Sequence, residues 1–100
     1  MRAQIFLNKG AVTVDISTQL KHALSNRERI MAIINYPSIH ATLIISVLNV
    51  TAGNIYILQM WIGGRKTVHI KAIHRRYTRL WHAFILMKKA LEYILETTCK

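Results

Sequence analysis

Nine side chains between positions 65 and 89 have types and spacing suited to one kind of chemistry: Arg65, Lys66, His69, Lys71, Arg75, Arg76, Arg79, His82 and Lys89. Fixed cations interleaved with imidazoles are the groups that neutralise phosphate, and phosphate contacts dominate affinity for nucleic acid. Residues 65–89 hold eight Lys or Arg and no Asp or Glu. The rest of the chain does not balance them. Fourteen Lys and Arg stand against four acids, Asp15, Glu28, Glu92 and Glu96, for a formal net charge of +10. A block of one sign repels itself on a bare surface, so a polyanion is the natural partner. Nucleic acid is expected first and an anionic membrane surface second. The bland alternative is a solvated basic face that serves only solubility.

Contacts from such residues go to phosphates and carry little base readout. Trp61 and Tyr77 flank the block, and aromatic rings stack on unpaired bases far more than on paired ones. RNA or single strands are therefore expected ahead of duplex DNA. A viral or ribosome-associated accessory protein would have this composition. Arg75, Arg76 and Arg79 add a second clue. A helix start favours acids and its end favours bases, each by about 0.3–1 kcal/mol. Here the arginines crowd the start of the last expected helix, and Glu92 and Glu96 stand near its end. That order serves phosphate binding better than helix stability.

Catalytic constellations are harder to find. The four acids offer no carboxylate pair for a two-metal site. The histidines, His22, His40, His69, His74 and His82, lack metal-ligand spacing, and Cys99 stands alone, so no metal or other cofactor is expected. Gly63-Gly64 opens no phosphate-binding loop of the strand–loop–helix kind. One route remains: metal-independent RNA cleavage, with a base, an acid and cations drawn from His69, Lys71, His74, Arg76 and Tyr77. The segment VHIKAIHRR, Val68 to Arg76, followed by Trp81, resembles the terminal strand of RelE/ParE-type toxins. The resemblance implies a small ribonuclease of toxin-like type. The expected N-terminal hairpin, strand order and long last helix depart from that family. A third reading is a protein-interaction or membrane-peripheral module whose apolar sheet face is the working surface.

These residues need elements to hold them. Arg2 to Leu7 and Ala11 to Ile16, split by Asn8-Lys9-Gly10, are expected as an N-terminal hairpin. Ser17 or Thr18 then caps a helix whose apolar residues, Leu20, Ala23, Leu24, Met31 and Ile34, carry it to about Asn35, with Pro37 forbidding continuation. Ala41 to Val50, Ile55 to Ile62 and Thr67 to Ile73 are strands of an antiparallel meander. In the last of these, His69 and Lys71 alternate with Val68, Ile70 and Ala72 and so project from the opposite face. Ile73, Tyr77, Leu80, Phe84, Met87, Leu91 and Ile94, spaced 4, 3, 4, 3, 4, 3, form one face of a long helix. The expected fold is one α+β domain over 1–100, in the order ββαβββα, with two helices packed on an antiparallel sheet.

The 35 residues from Ile30 to Gly64 contain no Lys, Arg, Asp or Glu. A membrane span is not expected there: His40, Ser46, Asn49, Asn54 and Gln59 are costly in hydrocarbon, and Thr51-Ala52-Gly53-Asn54 is turn chemistry. The strands are apolar on both faces, so the face away from the helices requires a cover. The N-terminal hairpin or a second subunit supplies it, and in the latter case the protein is a homodimer. The first residues, MRAQIFLNKG, lack the apolar core of a signal peptide, and a cytoplasmic location is expected.

Overall fold

The computed structural model describes the backbone of residues 4–7 and 23–98 and the side chains of 23–97. Three tight connections set the topology. Pro37 opens a 3-10 turn, Pro37–Ile39, that closes on His40 in the left-handed region at φ 50°. This turn joins β2 (Glu28–Tyr36) to β3 (Ala41–Val50). Thr51 and Ala52 join β3 to β4 (Gly53–Ile62). Gly63 and Gly64, with φ of 58° and 81°, have the positive torsions that a two-residue hairpin of the primed type demands, and they lead into β5 (Arg65–Ile73). A short β1 (Gln4–Leu7) lies along the far side of β2. The sheet order is β1-β2-β3-β4-β5, antiparallel throughout. A 3-10 turn, His74–Arg76, then leads into α1 (Tyr77–Thr98).

Alternation divides the strands between two faces. Ala32, Ile34 and Tyr36 of β2, Leu43 and Ile45 of β3, Leu58 of β4 and Ala72 of β5 face α1, which contributes Leu80, Phe84, Leu91 and Leu95. Those four helical residues are at most 2% exposed, and burying each contributes about 1.5–3 kcal/mol. The Tyr36 hydroxyl donates to the Lys88 carbonyl at 3.5 Å, tying the end of β2 to the middle of α1. On the outer face Ile33 and Ile44 form a second, smaller core with Ile30, Trp61, Ala23 and Leu24. The chain approaching β2 thus lies on the outer face, which supplies part of the cover that an apolar sheet face requires.

The meander of the last three strands and the long final helix match the expectation from sequence, and the α+β class with them. The order ββαβββα does not hold. Residues 28–35, expected to end the first helix, belong to β2, and outside α1 only Ala23 is α-helical among the described residues. The physical reason is burial from both sides. Ile33 faces outward, and Ala32 and Ile34 face α1, all at 1% exposure or less. A strand buried on both faces shows no polar alternation, and an unbroken apolar run fits a helical template equally well. The β-branched Ile30, Ile33 and Ile34 decide for the strand. β1 pairs with β2, Ile5 opposite Ile34. The expected hairpin partner Ala11–Ile16 and the cap at Ser17 or Thr18 lie outside the described residues. The helix stripe also starts later than its spacing suggests. Ile73 ends β5 at 71% exposure, and Leu95 takes the buried position in place of Ile94, which is 47% exposed.

Candidate nucleic-acid interface

β5 is the last strand of the sheet, so one of its sides has no neighbouring strand among the described residues. A free edge of this kind is normally blunted by charge, and here nearly every residue along it is exposed. Arg65, Lys66, His69, Lys71, Arg75, Arg76, Arg79, His82 and Lys89 are all exposed. Among the described residues none of them forms an ion pair with an acid. The strand separates them in space. Arg65 and Lys66 follow the glycine turn, at the end of the sheet where Gly63 N–H donates to the His40 carbonyl at 2.8 Å. Arg75 and Arg76 lie at the opposite end, about 26 Å away for eight steps of strand. There His74 sits beside the turn that opens β4, its Cδ2 3.8 Å from where a Gly53 side chain would begin.

The register aims three of these residues the same way. Met60 pairs with Val68 and Trp61 with Lys66, so Thr67 is an extra residue in β5. Its hydroxyl donates to the Met60 carbonyl at 3.0 Å. Such a bulge reverses the alternation beyond it. Simple alternation would set Lys66 on the α1 side with Val68, Ile70 and Ala72. The bulge instead places it beside Trp61 on the outer face, with its ammonium 5.9 Å from the indole centre. His69 lies opposite Gln59, and Lys71 opposite Ile57, on that same face. Lys66, His69 and Lys71 therefore form a row, as the alternation of His69 and Lys71 with Val68, Ile70 and Ala72 led one to expect for two of them.

Polar groups that carry no signal in the sequence border this row. Gln59, 3% exposed, accepts from Trp61 Nε1–H at 2.8 Å. Glu28 accepts from the Ser25 N–H and from the Ser46 hydroxyl. Burial, then Lys66, then Lys71 hold the His69 imidazole below its ordinary pKa of 6.5, and Glu28 opposes them weakly. A lone acid at position 28 gave no hint of this placement, because its strand was hidden in a helical pattern.

Arg79 and His82 continue the basic surface on the first turns of α1. Lys89 stands apart, about 18 Å along the helix axis from Tyr77. Tyr77 is not offered to a ligand. Its ring lies 4.6 Å from that of Tyr56 and 6.1 Å from that of Trp81, and Trp81 stacks on Phe84 at 5.2 Å. Burial and then Tyr56 raise the Tyr77 pKa, the wrong direction for a base. Nor do the residues of the cleavage route converge. His69 is on the outer face of β5, and His74 lies past the strand end, more than about 13 Å further along the chain path.

No known protein family, curated protein or solved structure matches this chain. Its chemistry must be read from the residues themselves. Among the described residues no group of three or more His, Cys, Asp or Glu is placed to hold a metal ion. No described helix is long and apolar enough to cross a membrane.

Proposed function

We propose that this protein binds nucleic acid, RNA or single strands ahead of duplex DNA, along the basic edge formed by β5, the turn before it and the start of α1. One observation carries the reading: the cations and histidines of residues 65–82 are all exposed along one strand edge and its continuation, with no acid paired to them among the described residues. Phosphates are the ligand that such a line of charge lacks. The preference for unpaired strands rests on Trp61, half-buried on the same face as Lys66, His69 and Lys71. Its ring is the aromatic surface beside the cations on which a base can stack. Binding is through charge and position, with little base readout.

The test is a series of affinities for single-stranded RNA, single-stranded DNA and duplex of equal length. Affinity for single strands should fall steeply between about 50 and 200 mM salt, by roughly 0.7 log units per neutralised phosphate per log unit of salt. A flat salt response, or no binding to any of the three, would refute the proposal.

A further inference from the structure

We propose that Lys66, His69 and Lys71 form a single phosphate-holding row on the outer face of β5, and that His69 engages its ligand as the imidazolium. The inference rests on the nucleic-acid reading above and assigns chemistry within that surface. The geometry is local and specific. The bulge at Thr67 turns Lys66 onto the face that His69 and Lys71 share. His69 and Lys71 are alternate residues of one strand, about 7 Å apart, within the reach of neighbouring phosphates for long side chains.

The groups facing His69 explain why a proton accompanies the ligand. From β5 itself come the ammoniums of Lys66 and Lys71; from β4 comes Gln59, whose carbonyl oxygen is already held by Trp61. From β2 comes Glu28, the one acid among the described residues whose field reaches the ring. Both Glu28 oxygens are engaged elsewhere, one by the Ser25 N–H and one by the Ser46 hydroxyl. In the free protein the imidazolium thus has two like charges beside it and no carboxylate turned to it. The pKa of His69 is lowered first by partial burial of the ring and then by Lys66 and Lys71, in agreement with that arrangement. A phosphate seated between Lys66 and Lys71 supplies the missing negative charge. The imidazole then takes a proton from solvent, and both ring nitrogens become donors. Binding and protonation are linked, so affinity rises as pH falls.

The experiment measures affinity for an oligouridylate at constant ionic strength between pH 7.5 and 6, for the wild type, His69→Gln and His40→Asn. One bound proton gives up to about a tenfold gain in affinity per pH unit. The wild type and His40→Asn, a change at an exposed position outside the basic surface, should show this gain, and His69→Gln should lose most of it while still binding at pH 7.5. In parallel, the NMR titration of the His69 ring should move to higher pH on adding the oligonucleotide. If His69→Gln keeps the full pH dependence, or its ring titration does not move, the inference fails and the nucleic-acid reading stands. If the wild type binds at neither pH, both fall.

Discussion

Tyr36→Phe removes a single oxygen from the place where β2 meets α1. Tyr36 is fully buried, and its hydroxyl donates to the Lys88 carbonyl at 3.5 Å. Burial first, and Glu92 second, push its pKa from 10.0 to about 12. The folded state therefore holds the phenol proton more tightly than the unfolded chain does. The associated stability is fully present below pH 10 and is lost as pH rises through 12. For these two values the loss is on the order of 1 kcal/mol between pH 9 and 11, and on the order of 2–3 kcal/mol beyond pH 12. At neutral pH the long hydrogen bond is worth little, so Tyr36→Phe should cost less than about 1 kcal/mol there. The assay is urea unfolding of both proteins at pH 8 and pH 11. Titration of lysines and of the other tyrosines is common to both, and the difference isolates Tyr36. The wild type should lose about 1 kcal/mol more than Tyr36→Phe on going to pH 11. An equal loss in the two proteins would mean that Tyr36 is not buried beneath α1, and would refute the packing of the end of β2 described above.

Other outcomes follow from the same packing. Leu80→Ala should destabilise by about 2–5 kcal/mol, whereas Leu86→Ala, at a position 67% exposed, should fall within about 0.5 kcal/mol of wild type; denaturant midpoints check both. Gly63→Val places a β-branched residue at φ 58° and should cost at least about 1–2 kcal/mol, with loss of protection of the β4 and β5 amides in hydrogen exchange. Thr67→Ala removes the hydroxyl bond to Met60 and should loosen the bulge, seen as weakened binding with an almost unchanged unfolding midpoint.

Much of this molecule can be read from its sequence. Gly63-Gly64 and Thr51-Ala52-Gly53 punctuate β3, β4 and β5 clearly, because the positive φ of Gly53, Gly63 and Gly64 admits few other residues. The spacing of Leu80, Phe84 and Leu91 reports α1, since its other side faces water and the contrast survives. β2 is illegible for the opposite reason: a strand packed between α1 and the outer cluster has no polar face to reveal its period. The basic edge is legible in composition, and the projection of His69 and Lys71 in alternation. Two features are not. The bulge at Thr67 depends on strand pairing, which no local pattern encodes. The approach of Glu28 to His69 depends on a register across β2, β3 and β4. Tyr77 illustrates the remaining ambiguity, for an aromatic beside a basic run serves core or ligand equally well until its neighbours Tyr56 and Trp81 are known.

The central claim is that the cations along β5 and the start of α1 neutralise phosphates. Its most direct test is the salt dependence of affinity for a single-stranded RNA, compared between the wild type and the triple variant Arg75→Ala, Arg76→Ala, Arg79→Ala. All three arginines are exposed, so the variant should remain folded by circular dichroism. Its plot of log affinity against log salt should be shallower than that of the wild type by about 2, near 0.7 for each phosphate that is no longer neutralised. A folded variant with the wild-type slope would contradict the account.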